Sequence, residues 1–154
     1  MKLPPFQHLL DAYGSDVHRF LNATVGADEL DDCYQETWLA ALRSYPRLRD
    51  SSNLRSWILT VANHKAIDRL RARRRDPVAV GVLPEAASPS IGEPEEELWA
   101  RVRELPPKQR TAIALRFVSD AGYADVATIM GTSQEAARRN VHEGLKRLRT
   151  EYRR

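Results

Sequence analysis

The stretch Asp76 to Glu97, DPVAVGVLPEAASPSIGEPEEE, sets the first limit on how this chain folds. Its four prolines, two glycines and six acids, with no base, cannot bury enough apolar surface to offset the entropy of ordering it. It reads as a mobile linker. The rest of the 154 residues then divides into two small units, 1–75 and 98–154. Apolar residues in both recur at helical spacing, and no run alternates as a strand would. The expected fold class is all-α: two small helical domains, a helical bundle and a helix-turn-helix, joined by a flexible linker.

In the first unit, Pro4 and Pro5 open a helix, because a missing N–H costs nothing in the first turn. Phe6, Leu9, Leu10, Tyr13, Val17, Phe20 and Leu21 keep its period, with Gly14 as a weak point, and Gly26-Ala27-Asp28 breaks it. From Asp28 to Arg43, one side carries Leu30, Tyr34, Thr37, Trp38, Ala41 and Tyr45. The opposite side carries Asp32, Gln35, Glu36 and Leu39, and a leucine among acids is a face suited to docking on another protein. Tyr45-Pro46 ends that helix. After a polar loop from Arg47 to Asn53, a long helix runs from about Leu54 to Arg73. Leu54, Trp57, Ile58, Val61, Ala62, Ala66 and Leu70 point inward, and His64, Lys65, Asp68, Arg69 and Arg71 outward. Trp38, Trp57 and Trp99 read as core anchors.

The second unit opens with a helix through Leu98, Trp99, Val102 and Leu105 and restarts at Pro106-Pro107. Ile113, Ala114, Leu115 and Phe117 are its expected core. Tyr123, Val126, Ala127 and Met130 then form an apolar stripe ending at Gly131, which suits the positive φ of a helix terminus. Thr132 or Ser133 can cap the following helix, and Glu135 suits its positive end. That helix buries Ala137, Val141, Leu145 and Leu148 and shows Glu135, Arg138, Arg139, His142 and Lys146 outward. Two short amphipathic helices joined by a Gly-containing turn make the helix-turn-helix pattern, whose second helix can lie in a DNA major groove.

Net charge is only +3, but its distribution is uneven. Asn53 to Arg75 holds seven bases against the single acid Asp68, and Gln134 to Arg154 holds seven bases against three acids. Two basic patches on either side of an acidic spacer suggest two contacts with one polyanion. Cys33 is the only cysteine, which excludes an internal disulfide and any multi-cysteine metal site and fits a reducing cytoplasm. A run of eighteen apolar residues is absent, as is the apolar core of a secretory signal. No nucleotide-binding GxxxxGK[ST] motif occurs. Acid pairs such as Asp31-Asp32 lack an accompanying base or nucleophile, so neither catalysis, a metal nor a cofactor is expected.

LPPKQRTAIALRFVSDAGYADVATIMGTSQEAARRNVHEGLKRLR, Leu105 to Arg149, resembles the fourth conserved region of sigma factors of the sigma-70 superfamily, in the short extracytoplasmic-function (ECF) type. DDCYQETWLAALRSY followed by LRSWILTVANHKAIDRLRARRR resembles the second conserved region. The order of the two and the Pro/acidic linker between them match as well. The resemblance implies a cytoplasmic, nucleoid-associated promoter-specificity subunit of bacterial RNA polymerase, without enzymatic activity of its own. Its implied partners are core polymerase (the coiled coil of the largest subunit and the flap of the second-largest), promoter DNA and an anti-sigma factor, with no membrane insertion.

By the same resemblance, Asp32, Gln35, Glu36 and Leu39 face the polymerase coiled coil. Ser52, Asn53, Arg55, His64, Lys65, Asp68, Arg69, Arg71, Arg73 and Arg74 contact the minus-10 element. The loop Asp50-Ser51-Ser52-Asn53 suits a pocket for an unstacked base. The minus-35 element meets Arg138 and Arg139 at its base edges, Arg116, Thr132 and Ser133 nearer its phosphates, and Gln134, Glu135 and His142 along the same helix. Two departures leave the promoter sequence open: His64 replaces the family's usual asparagine, and Ala136-Ala137-Arg138-Arg139-Asn140 replaces its common Thr-Val-Lys-Ser-Arg run. The alternative is a stand-alone dimeric helix-turn-helix regulator with an N-terminal helical signal domain, which would need an exposed apolar stripe for self-association.

Overall fold

The computed structural model describes residues 3–75 and 94–152. The linker reading falls mainly on 76–93, which lie outside the described residues. Every regular element among the described residues is helical.

Helix α1, Phe6–Val25, begins directly after Pro4-Pro5 and ends at Gly26, whose φ of 87° is left-handed territory that glycine enters without a Cβ penalty. Helix α2, Ala27–Ser44, starts at once, with Asp28 and Glu29 at its positive end. The Tyr45-Pro46 stop is a single 3₁₀ turn, Tyr45–Arg47. There the Tyr45 hydroxyl donates to Pro4 O and ties the end of α2 to the start of α1. Helix α3, Leu54–Arg75, packs on both. Leu9, Val17, Phe20, Leu21, Leu30, Trp38 and Ile58 fill the space between them. Phe6 presents a ring edge to Trp38 and to Tyr45, with centroids 5.8 and 5.3 Å apart. Trp38 is buried, and Trp57 and Trp99 are half-buried against the core. Thr24 and Thr37 are buried, and their hydroxyls donate to the carbonyls of Phe20 (3.0 Å) and Cys33 (2.7 Å) four residues back.

The second domain comprises α4 (Pro94–Glu104), α5 (Pro107–Ile113), α6 (Tyr123–Met130) and α7 (Gln134–Tyr152). Helix α4 begins at Pro94, earlier than the expected Leu98. Proline is well suited to the first helical position. After α5 the chain widens into a π-helical turn, Ala114–Val118, where Ser119 N–H reaches back five residues to Ala114 O at 3.1 Å. This turn overrides one sequence expectation. Ile113, Ala114 and Leu115 are buried as expected, but Phe117 is turned out to solvent and is 54% exposed. Helices α5 and α7 approach closely at Gly144, where a Cβ would overlap Ile113 Cδ1.

The two domains pack against each other. Helix α1 meets α4 and the π turn, α3 meets α6, and one apolar core runs from Leu9 and Phe20 through Leu59 to Leu115, Val126 and Ile129. This explains two of the three buried residues of α3 that a single inward stripe leaves out. Leu59 and Asn63 lie on a second stripe with Ala66 and Leu70, and Asn63, Ala66 and Leu70 face the second domain across a cleft. A helix covered on two sides carries two stripes.

Candidate nucleic-acid interface

The acidic face of α2 forms because the helix buries Leu30, Cys33, Thr37, Trp38 and Ala41 and leaves its other side free. Asp32, Gln35, Glu36 and Leu39 all lie exposed on that side, with Leu39 52% and its neighbour Leu42 51% exposed. Arg69 of α3 joins them. Its guanidinium reaches Glu36 at 2.5 Å, Glu29 at 2.9 Å and Asp32 at 4.0 Å. The hydrogen bond that Arg69 donates to Glu36, ahead of the opposing desolvation, holds the Arg69 pKa above the usual arginine value. Arg69, grouped by sequence with the minus-10 residues, is therefore tied to the acids of α2. Beneath them Cys33 is buried, and burial pushes its thiol up to about 11.

The loop before α3 is organised by side-chain caps. Asp50 Oδ1 accepts the Ser52 N–H at 2.9 Å, and that bond holds the Asp50 carboxyl below the usual carboxylate range. Asn53 Oδ1 accepts the Ser56 N–H at 3.1 Å, which makes Asn53 the N-cap of α3. Ser52 and Asn53 are exposed and Arg55 is half-buried. Along α3, His64, Asp68 and Arg71 are exposed, and Lys65 and Arg73 half-exposed. The side chain of Arg74 lies outside the described residues.

The helix-turn-helix takes the expected form. Gly131 sits at φ 67°, and the Thr132 N–H reaches Ala127 O at 2.9 Å across the end of α6. Ser133, of the two possible caps, receives the Ala136 N–H on Oγ at 3.1 Å. Ala137, Val141 and Leu148 are buried, while Thr132, Ser133, Gln134, Glu135, Arg138, Arg139 and His142 are exposed. The residue that sequence reasoning undervalued is Tyr123. It read as one more stripe position, yet its ring carries Arg116 at 5.0 Å and Arg138 at 5.2 Å. Arg116 also donates to Ala121 O at 3.3 Å, so it is fixed within the domain.

The two basic surfaces meet at one cleft of about 810 Å³. Arg71 and Arg73 line it from α3, Lys108 and Arg110 from α5, and Thr132 and Arg139 from the helix-turn-helix. Ser52 and Asn53 lie apart from this cleft at the start of α3, and Asn53 Nδ2 donates to Asp125 Oδ1 of α6 at 3.2 Å. Among the described residues, no group of His, Cys, Asp and Glu could hold a metal, and no helix is long and apolar enough to cross a membrane.

Comparison with known proteins agrees with this geometry. Residues 9–76 match the family model "Sigma-70 region 2" and residues 95–148 match "Sigma-70, region 4". The ECF RNA polymerase sigma factor SigC of Mycobacterium tuberculosis is 30% identical over 79% of this chain and 69% of its own length. SigX of Bacillus subtilis is 28% identical over 94% of this chain and 81% of its own. In structure, the sigma factor RpoE of Bartonella quintana, solved in complex with the anti-sigma factor NepR, superimposes with a TM-score of 0.80 at 23% identity, covering 96% of each chain. Two matched regions in the family's order, carried on two helical domains of the same fold, show that this chain belongs to the sigma-70 family of RNA polymerase sigma factors, in its ECF type.

Proposed function

We propose that this chain binds core RNA polymerase through the exposed face of α2, reads the minus-10 element with the start and outer side of α3, and reads the minus-35 element with α7. It directs transcription initiation in the cytoplasm and has no enzymatic activity of its own. The carrying observation is the pairing of a capped helix-turn-helix, with Arg138 and Arg139 exposed, and a basic α3 in the same chain. An arginine fork is suited to two acceptors of guanine, and each such pair discriminates by about 1–3 kcal/mol. Phosphate contacts then hold register and make affinity fall steeply with salt. The leucine-bearing acidic side of α2 supports the polymerase contact, since Leu39 and Leu42 are exposed apolar groups that no other described residue covers. An anti-sigma protein is the proposed regulator, as the family resemblance implies. No observation favours the dimeric-regulator alternative.

The test is run-off transcription with purified core polymerase. Adding the protein should give initiation at defined start sites. Replacing Leu39 and Glu36 with Lys and Arg should remove it by abolishing association with core. R138E together with R139E should leave core association intact and cut promoter-directed transcription more than tenfold. A wild-type protein that fails to associate with core contradicts the proposal.

A further inference from the structure

The cleft between the domains carries chemistry that promoter reading leaves unused. Part of its wall is apolar, with Ala66, Ile67 and Leu70 of α3 and Met130 at the end of α6. The wall also carries five cations, Arg71, Arg73, Lys108, Arg110 and Arg139, and among the described residues no carboxylate lines it. Arg110 is held in place, donating to Thr24 O at 3.3 Å and to Leu105 O at 3.1 Å. Thr132 and Ala136 bring in the start of α7, whose positive end also favours an anion. A volume of about 810 Å³, mostly apolar walls and a few placed polar groups describe a small-ligand site.

One polar atom of this wall lacks a partner. Asn63 of α3 is 3% exposed, and its Oδ1 accepts no hydrogen bond from any described residue. Thr24, buried as deeply in the same wall, is satisfied through its bond to Phe20 O at 3.0 Å. Buried acceptors are nearly always paired, because an unmet one loses its hydration without replacement. Asn63 therefore marks where an occupant presents an N–H or O–H.

Helix α3 sets the distance between this acceptor and the cations. Arg71 and Arg73 follow Asn63 by eight and ten residues, about 12–15 Å along the axis at 1.5 Å per residue. Ile67 and Leu70 lie between them. An occupant that meets all three features has a donor at one end, an apolar face in the middle and several negative charges at the other end. Inorganic phosphate has only the charge, and a fatty anion lacks the donor. A nucleotide has a base N–H, a ring face and a phosphate chain in that order.

We propose that the cleft binds a nucleoside polyphosphate. The base donates to Asn63 Oδ1 and lies against Ile67 and Leu70, while the phosphates reach Arg71, Arg73, Lys108 and Arg139. Binding alone is proposed, with no chemical step on the nucleotide. The inference does not depend on the promoter contacts above, although Arg71, Arg73 and Arg139 serve in both. Because both domains supply the wall, bound nucleotide stabilises the folded chain by mass action.

The test titrates the whole chain with ATP and with GTP by calorimetry at physiological salt. Inorganic tripolyphosphate is the third probe, since it keeps the charge and lacks the base. At least one nucleotide should bind one-to-one, at least tenfold more tightly than tripolyphosphate, and raise the melting temperature as its concentration rises. N63L removes the acceptor in a similar volume; it should cut nucleotide affinity at least fivefold and leave tripolyphosphate binding within twofold. K108E changes an exposed residue and should weaken all three probes. Absence of nucleotide binding overturns the proposal, and so does equal affinity for nucleotides and tripolyphosphate, which would mean a basic surface only. Nucleotide affinity unchanged in K108E also overturns it, and this outcome stands even where N63L fails to fold. Run-off transcription with core polymerase gives the sigma-factor reading its own readout, so either can fail alone.

Discussion

Arg69 shows how one side chain can join two surfaces. Helical period alone turns it outward from α3, and an outward arginine in a basic helix reads as a DNA contact. What the sequence cannot show is that α2 lies alongside and offers Glu29 and Glu36. Pairs this exposed contribute little singly, but one guanidinium serving several acids is a small network. R69A should lower stability by about 1 kcal/mol, read as a denaturant midpoint, and weaken core binding more than DNA binding. An equal or larger loss in DNA affinity would return Arg69 to the minus-10 group. Cys33 gives a second residue-scale expectation. Its thiol is raised from 9.0 to about 11 by burial, so between those values the unfolded chain releases a proton that the folded chain keeps. The contribution of Cys33 to stability is intact below pH 9.0 and is lost as pH rises towards 11. Denaturant midpoints across that window should fall more steeply for the wild type than for C33A; parallel slopes would contradict this.

At the scale of elements, the inward stripes of α1, α2 and α7 were legible and the second stripe of α3 was not. The inward residues of those three follow from period and from the glycines that end or join them. α3 carries two stripes, so Leu59 and Asn63 were missed. Phe117 was misplaced because the π turn shifts the register by one residue, and nothing in its local sequence announces that. Gly131 was legible because it occupies a helix end at φ 67°, where alanine pays a left-handed penalty of about 1–2 kcal/mol. G131A should destabilise the second domain by about 1 kcal/mol, measured by thermal unfolding. Gly144 was not legible, because its reason is the neighbouring helix. Alanine there would gain up to about 1 kcal/mol of helix propensity. Crowding the buried Ile113 costs about 1–3 kcal/mol, so G144A should lower the melting temperature. An unchanged or raised value would mean that α5 and α7 can move apart freely.

For the whole molecule, the tandem order of two helical domains and the charge blocks on either side of the linker were readable, because they are one-dimensional features. The packing of one domain on the other was not, because it depends on arginines of α4 and α5 meeting the end of α1 far along the chain. Two weak readers on one chain become jointly selective only when both engage the same DNA, since tethering makes the second contact intramolecular. The measurement that bears most directly on this is a nuclease footprint of one promoter fragment with core polymerase and the protein together. Two separated protected elements, at minus-10 and minus-35, are predicted, with the upstream one lost in the R138E/R139E protein. A single two-fold symmetric footprint formed by the protein without core polymerase would contradict the account.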